Sequence, residues 1–183
     1  MPHKPEGMEY RQYQFDALEA CRENVRNKVS TQVLQLATGA GKTHIAEMIA
    51  KGAVAKGKRV YFVVDQLELV DQTAQRFHDS GLPVGVIQGH HEWTDYGKAV
   101  QVATIQTLRH RWNRIIDELK PDVVIIDECH VVHKAHVKMI DDCKANNVPV
   151  IGLSATPFKR GLGNIFETLV VGATTADLTP MYL

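Results

Sequence analysis

The stretch that decides the fold is Leu-Ala-Thr-Gly-Ala-Gly-Lys-Thr at residues 36–43. It lies between an apolar run and a run with helical spacing that starts at Thr43. Gly39 and Gly41 allow a tight backbone path in which several N–H groups face one anion, and the next helix adds its positive N-terminal end. In this pattern Lys42 reaches the outer phosphates of a nucleotide, and the Thr43 hydroxyl holds Mg²⁺. The stretch therefore predicts a phosphate-binding loop between a strand and a helix.

The match is shorter than the strict phosphate-binding pattern, which has a further glycine where this chain has Leu36. Taken alone, it leaves open a glycine-rich turn followed by Lys-Thr by chance. The loop residues that we predict to bind ATP are Thr38, Gly39, Ala40, Gly41, Lys42 and Thr43.

Composition is that of an ordinary globular protein: 183 residues, 44% hydrophobic and 23% charged. This length predicts one domain with a sizeable core. The sequence has no membrane-length apolar run and no signal peptide, and Cys21, Cys129 and Cys143 lack metal or disulfide spacing. We therefore expect a cytoplasmic protein without a membrane partner. Because the formal net charge is zero, any binding of nucleic acid would be local, weak in isolation, or shared with a missing segment.

Buried-type strands alternate with helical patterns along the chain. Strands are predicted at residues 31–36, 59–64, 84–87, 99–102, 123–127 and 150–153. Helices are predicted at residues 10–28, 43–56, 67–80, 106–119 and after residue 127, and the chain is less regular from Pro157 on. This alternation predicts an α/β fold, a parallel sheet with helices on both faces. Ligands bind such sheets at the carboxyl ends of the strands.

A second group of polar residues follows the apolar strand at residues 123–126, where the chain reads Asp-Glu-Cys-His. Both carboxylates should lie at the carboxyl edge of the sheet. There Asp127 would hold Mg²⁺ through water, and Glu128 would take a proton from an attacking water. Two adjacent acids could also be surface charges that open a loop, but their combination with the Gly-Lys-Thr loop favours nucleotide hydrolysis.

Two weaker signals complete the predicted site. Ser154 and Thr156 follow another apolar strand, so their hydroxyls could bond to His130 or to the acidic pair, although the triplet alone is more typical of an ordinary turn. Gln14 could bond to the adenine edge while Arg11 stacks on the base. The same two residues are also consistent with the polar first turn of a surface helix.

The motifs described above, in their order along the chain, resemble those of the first RecA-like domain of superfamily 2 helicases of the Asp-Glu-Cys-His subtype. The similarity extends from Tyr10 to about Val171, and it is greatest to RadD-like, type III restriction and phage helicases. Tyr10 and Gln12 replace the Leu and Pro that are common in the adenine-reading motif. The matching segments are residues 10–14, 37–43, 63–72, 102–108, 127–130 and 154–156.

The resemblance implies roles for individual residues. Arg11 and Gln14 would read adenine. The catalytic set would be Lys42, Asp127, Glu128 and His130, with Mg²⁺ held by Thr43 and Asp127. His130, Ser154 and Thr156 would couple hydrolysis to movement. Nucleic acid would contact Gln66, Leu67, Thr104 and Gln106, with Arg109, Arg111 and Arg114 nearby.

The resemblance also implies a domain plan. Residues 1–9 would be a flexible leader, residues 10–172 the first RecA-like lobe, and residues 173–183 the start of a linker toward a missing second lobe. That lobe would supply arginine fingers across the cleft, so this chain alone should hydrolyse ATP barely. The expected function is ATP-driven movement on, or unwinding of, nucleic acid. DNA is favoured over RNA only by the nearer resemblance.

Other classes remain open from the residues alone. A small-molecule kinase or another phosphate-loop enzyme would explain Lys42, and a non-catalytic scaffold would need none of the acids. Zinc on Cys129, His130, His133 and His136 is disfavoured because structural zinc usually draws its ligands from two separated pairs. A nucleophilic Cys129 is disfavoured because neighbouring negative charge raises the pKa of a thiol.

Overall fold

The computed structural model describes residues 11–37, 41–129, 134–157 and 162–173. The strands are β1 (Thr31–Leu36), β2 (Val60–Val64), β3 (Val84–Ile87), β4 (Val100–Thr104), β5 (Val123–Ile126), β6 (Val150–Ser154) and β7 (Thr168–Ala173). They form one sheet in the order β3-β4-β2-β5-β6-β1-β7, and every neighbouring pair is parallel. The predicted parallel α/β fold is therefore confirmed.

Helices cover both faces of the sheet. They are α1 (Gln12–Arg26), α2 (Lys42–Val54), α3 (Glu68–Asp79), α4 (Ile105–Leu108), α5 (Trp112–Arg114) and α6 (Lys134–Ala145), with a π-helical turn at Ile115–Leu119 and a 3₁₀ turn at Leu162–Asn164. Helices α1 to α3 pack on one face, where Phe77 meets Phe62 edge-on with ring centroids 5.1 Å apart. Helices α4 to α6 pack on the other face, against residues such as Tyr61 and Val63. The strands are mainly apolar because helices cover both faces of most of the sheet, and Gln32, Gln35 and Gln101 are buried polar exceptions.

The helix predicted over residues 106–119 is wrong, because three short segments occupy that stretch. Thr104 ends β4 and begins α4, since its Oγ1 accepts a hydrogen bond from the backbone N–H of Thr107 at 3.3 Å. A turn follows in which the Arg111 N–H donates to the Leu108 carbonyl at 2.8 Å. Apolar side chains still point inward across these breaks, as Leu108 and Trp112 do. A helical spacing of apolar residues therefore survives where a continuous helix does not.

The stretch after Pro157 is more regular than predicted, because it contains β7. This strand pairs with β1 at one end of the sheet order. Val170 is buried, whereas Leu169 and Val171 are exposed, which is the alternation of a strand with one covered face. The strand ends at Ala173, one residue past the predicted boundary of the lobe, and the division of the chain into leader, lobe and linker stays a prediction.

Strand order explains how distant residues come together. β6 lies between β5 and β1. Ile126 is in register with Gly152, and Gln35 is in register with Ser154. The segments that follow β1, β5 and β6 therefore leave the sheet at the same carboxyl edge.

Candidate active site

The phosphate-loop prediction falls on the junction between β1 and α2. Thr38, Gly39 and Ala40 lie outside the described residues. Gly41 has φ 86° and ψ 42°, a left-handed conformation that favours glycine, and α2 begins at the next residue. Thr43 is in the first turn of this helix and is partly buried. The end of the loop is therefore a glycine-permitted turn directly before a helix N-terminus.

Lys42 and Glu128 form an ion pair between the Lys42 Nζ and the Glu128 Oε1. Only 17% of the lysine side chain and 32% of the glutamate side chain are exposed. The two residues are 86 positions apart, and they meet because β1 and β5 end on the same edge. Glu128 itself has φ 48°, which turns the chain sharply at the end of β5. The structure thus brings together the two most specific predictions made from the sequence.

Asp127 lies beside this pair in a partly buried position. Burial raises the pKa of its carboxyl group above the ordinary value, the Lys42 ammonium lowers it, and the Glu128 carboxylate raises it. The Asp127 Oδ1 accepts a hydrogen bond from the Glu128 N–H at 3.0 Å. The edge therefore carries two crowded carboxylates and one ammonium group.

Gln14 reaches the same place from α1. Its side chain is buried, and its Oε1 accepts a hydrogen bond from the Arg11 N–H at 3.3 Å. A Cβ added to Gly41 would lie 2.6 Å from the Gln14 Nε2, so the amide packs directly on the end of the loop. Arg11 is exposed at the start of α1, and its guanidinium donates to the Tyr13 hydroxyl at 3.4 Å. The Gln14 amide is therefore held against the backbone that precedes Lys42.

Ser154 and Thr156 lie at the end of β6, and they hydrogen-bond to each other. The Ser154 Oγ accepts from the Thr156 N–H at 3.0 Å, and Ser154 is fully buried whereas Thr156 is exposed. His130, the predicted fourth member of the catalytic set, lies outside the described residues, so its predicted contact with these hydroxyls is not described.

Cys129 fixes the end of β5 onto β6. Its N–H donates to the Leu153 carbonyl at 3.0 Å, and its thiol is buried. Burial, and then the Glu128 and Asp127 carboxylates, raise the pKa of the thiol to about 12. A Cβ on Gly152 would lie 2.7 Å from the Cys129 Sγ, so only glycine leaves room for this side chain. The un-ionised thiol therefore packs the acidic turn in place and is a poor nucleophile.

A cleft of about 600 Å³ lies at the carboxyl ends of β2 and β4. All four residues predicted to contact nucleic acid line it, namely Gln66, Leu67, Thr104 and Gln106. The side chains of Gln66, Leu67 and Gln106 are exposed, whereas Thr104 is buried at the start of α4. The cleft and the Lys42–Glu128 pair thus share one edge of the sheet.

The three nearby arginines have different surroundings. Arg111 lines the cleft and donates to the Tyr96 hydroxyl at 2.8 Å. Arg114 points away to solvent and pairs with Glu118 at 2.9 Å, four residues along. Arg109 is exposed and contacts His110. Among these three, Arg111 is therefore the one that can serve a ligand in the cleft.

The sequence of this chain matches a known protein family. Residues 7–159 match the family described as the res subunit of type III restriction enzymes. The chain belongs to this family.

Known proteins and solved structures are also similar to this chain. A 51.5 kDa protein of a Lactococcus phage (isolate 7-9) is 30% identical over 145 residues, which cover 78% of this chain and 28% of the phage protein. The UvsW helicase of bacteriophage T4 has a TM-score of 0.73 and 22% identity, over 90% of this chain and 60% of that one. The Hef helicase domain of Pyrococcus furiosus has a TM-score of 0.73 and 26% identity, over 93% and 40%. The chain has the RecA-like fold of these domains and spans about a quarter of the curated relative's length.

Two residues of this res-subunit family member were not predicted for the site. Asp65 follows β2 directly, lines the cleft, and is one of the charges that raise the pKa of Asp127. Glu68 also lines the cleft, in the first turn of α3. The position of Asp65 directly after an apolar strand is the same signal that identified Asp127. Within the described residues, no helix is long and apolar enough to cross a bilayer.

Proposed function

We propose that this chain is the ATP-binding lobe of a superfamily 2 motor that uses ATP hydrolysis to move on or unwind DNA. The observation that carries the proposal is the ion pair of Lys42 with Glu128 beside Asp127, at the edge where a parallel sheet binds its ligands. A phosphate-binding lysine, a metal-binding acid and a general base are the three groups that nucleotide hydrolysis requires.

The ion pair suggests what nucleotide binding would change. In this structure Lys42 and Glu128 neutralise each other. A γ-phosphate would compete with the Glu128 carboxylate for the Lys42 ammonium, because phosphate oxygens are strong acceptors of charge-assisted hydrogen bonds. Once released, Glu128 can orient the attacking water and accept its proton. Binding of the γ-phosphate would therefore release Glu128 from Lys42 and make it available as the general base.

The residues at this edge fit a magnesium ion. The evidence for this fit is the raised pKa of Asp127. Burial and the neighbouring Glu128 carboxylate both raise it, since two carboxylates lie close together in a partly desolvated place. A divalent cation would relieve this repulsion, and carboxylate and hydroxyl oxygens are ligands that Mg²⁺ prefers. Asp127 and the Thr43 hydroxyl are the groups that would hold it. When bound, the ion would neutralise charge that develops on the phosphates.

Adenine recognition is proposed for Gln14 and Arg11. Gln14 is buried against Gly41, so its amide is already fixed next to the loop that would hold the phosphates. Arg11 is exposed at the start of the same helix, where a planar guanidinium could stack on a base. Ser154 and Thr156, at the end of the neighbouring strand, are proposed to couple hydrolysis to motion.

The proposed nucleic-acid path is the cleft at β2 and β4. Amide and hydroxyl groups, with Arg111, can hold phosphates without reading sequence. DNA is proposed rather than RNA because the family is described by restriction enzymes, which cut DNA. Because the chain spans only part of its relatives, we further propose a second lobe that supplies the missing arginines.

Calorimetric titration of the chain with ATP and Mg²⁺ tests the proposal. Lys42→Ala should weaken ATP binding roughly 10- to 150-fold, because a hydrogen bond to a charged group contributes about 1.5–3 kcal/mol. Lys138→Ala is the matched control, since this exposed lysine pairs with Asp142 on α6 at 2.6 Å. Equal ATP affinity in the Lys42 variant and the control would refute a nucleotide site at this edge.

The DNA assignment has its own measurement. Fluorescence anisotropy compares the binding of labelled single-stranded DNA and of RNA of the same length and base composition to the chain, because binding does not depend on the slow turnover of a single lobe. DNA should bind more tightly, and equal affinity for RNA would remove the preference while leaving the nucleotide site intact.

A further inference from the structure

A groove opens at the amino-terminal edge of the sheet, opposite to the edge that carries the proposed nucleotide site. Its lining residues come before their strands: Lys58 before β2, Asp122 before β5 and Pro149 before β6. Strands of four or five residues rise about 3.3 Å per residue, so the groove lies roughly 13–17 Å from the nucleotide edge. The proposed function assigns no role to this part of the molecule.

The groove has two connected parts. A cavity of about 400 Å³ lies between α1 and α2, and one of about 360 Å³ continues past the end of α1. Both are lined by Val25, Asn147 and Pro149, so they form one continuous surface. We call this surface the rear groove.

The floor of the rear groove is apolar. Leu18, Cys21 and Ile151 are buried beneath it, and Ile49 is half-buried. Val25 is the exception, since 37% of this apolar residue is open to solvent where the two parts join. A ligand with an apolar side would cover Val25 and remove its surface from water.

The rim carries a surplus of positive charge. Its cations are Arg22, Arg26, Lys28, Lys56 and Lys58. Asp122 is the one carboxylate among the described lining residues, and it lies 3.6 Å from Lys58. Glu19 pairs with Arg22 and approaches Arg26 to 3.9 Å. Five cations against two carboxylates leave a local charge of +3 on a chain whose formal net charge is zero.

Helix dipoles explain part of this arrangement. Arg26 and Lys56 lie near the C-terminal ends of α1 and α2, where a cation interacts favourably with the helix dipole. The dipoles do not account for the exposed Val25 or for Lys58, which precedes a strand. An apolar floor inside a basic rim matches a ligand with the opposite pattern, apolar on one side and acidic on the other.

We propose that the rear groove binds an acidic amphipathic helix of a partner protein. Such a helix would lay its apolar side on Val25 and Ile49 and its carboxylates on the rim. Nucleic acid fits less well, because non-specific single-strand sites stack bases on aromatic rings. No aromatic side chain occurs among the described residues that line the rear groove. Binding at this edge leaves the opposite edge open to ATP and DNA.

The test uses a fluorescein-labelled peptide of about 14 residues, with leucines at i, i+3, i+4 and i+7 and glutamates elsewhere. Fluorescence anisotropy with the 183-residue chain should show saturable binding that weakens with added salt. A peptide with lysines for the glutamates, one with serines for the leucines, and a labelled oligothymidine probe the charge, the apolar side and the nucleic-acid alternative.

Variants then locate the site. The double variant Arg26→Glu, Lys56→Glu should lower the affinity for the acidic peptide at least about tenfold. Lys138→Glu, on α6 across the sheet, should change its affinity by less than about twofold. Val25→Ser should weaken binding without changing the salt dependence, and thermal unfolding checks that each variant is folded. The proposal is overturned if the acidic peptide does not bind, or if the lysine peptide binds with equal affinity. It is also overturned if the double variant keeps its affinity for the acidic peptide and loses affinity for oligothymidine.

Discussion

The nucleotide half of the carboxyl edge, formed by Gln14, Gly41, Lys42, Asp127 and Glu128, differs from the cleft at β2 and β4. In the nucleotide half, charged groups are partly buried and paired with one another across strands. In the cleft, four of the eight polar side chains are exposed and only Thr104 is buried. Pre-organised charges in a desolvated place are what a chemical step needs. Exposed amides and hydroxyls are sufficient to hold a phosphate backbone that is not read by sequence.

The strongest way to break this comparison is to remove the proposed general base. Glu128→Gln should lower ATP turnover by roughly 10²–10⁴-fold, because proton transfer in the transition state contributes about that much. Affinity for ATP should be retained or should rise, since the γ-phosphate no longer competes with a carboxylate for the Lys42 ammonium. Single-turnover phosphate release and calorimetry measure the two effects separately.

The control for this experiment is Glu68→Gln, an exposed acid in the cleft. Its turnover at saturating ATP should stay within about twofold of the unchanged chain, as for a surface substitution. If Glu128→Gln and Glu68→Gln had the same turnover, the two halves of the edge would not differ in the way described.

A second variant asks how much the nucleotide half depends on packing. Gly152→Ala would place a Cβ 2.7 Å from the Cys129 Sγ, and overpacking costs about 1–3 kcal/mol. The midpoint of thermal unfolding should fall by roughly 2–4 °C for each kcal/mol in a chain of this size. Gly163→Ala should leave the midpoint unchanged because no atom lies within 4 Å of the added Cβ.

The cause of that loss can be checked by a double variant. Cys129→Ala in the Gly152→Ala background removes the clashing sulfur and should recover part of the midpoint. No recovery would assign the loss to the two atoms that this variant keeps, the Cβ of residue 129 at 2.9 Å and the Phe166 Cζ at 3.0 Å from the added Cβ.

Arg111 tests the cleft. Arg111→Ala should lower the affinity for single-stranded DNA several-fold. It should also reduce the salt slope of binding by about one unit, as expected for one lost phosphate contact. Arg114→Ala should change neither quantity, since Arg114 pairs with Glu118 at the surface. Anisotropy at several salt concentrations gives both values. Similar losses in the two variants would show that the whole arginine face, rather than the cleft, holds the strand.

The smallest effect concerns stability and pH. An acid whose pKa is raised by folding binds its proton more readily in the folded chain, so its contribution to stability falls as pH rises from the ordinary to the raised pKa. Charged Asp127 therefore costs stability at neutral pH. Asp127→Asn, with Mg²⁺ chelated, should unfold at a higher temperature at pH 7, and the gain should shrink below the ordinary pKa of an aspartate.

Asp141 provides the control for this pH series because it is exposed on α6. Asp141→Asn should leave the midpoint at pH 7 within about 2 °C of the unchanged chain, as for a surface substitution. If the gain for Asp127→Asn did not depend on pH, its surroundings would not penalise the charge.

Much of the fold and of the nucleotide half was predictable because the signals are local. A parallel strand is an apolar run of a few residues, and a loop such as residues 36–43 carries its chemistry in adjacent positions. The breaks at residues 105–119 were not predictable, since apolar side chains keep a helical spacing toward the core while the backbone turns between Leu108 and Trp112. Strand β7 was missed because its alternation is short and one face is exposed.

The sequence by itself determined which groups could do chemistry: the ammonium of Lys42, the acids at the end of β5 and the amide of Gln14. Only the tertiary structure decided that Lys42 binds Glu128, that Gln14 packs on Gly41, and that basic side chains gather around Val25 at the opposite edge. The physical reason is that these contacts join residues brought together by strand order, and no local pattern records a distance between separate segments.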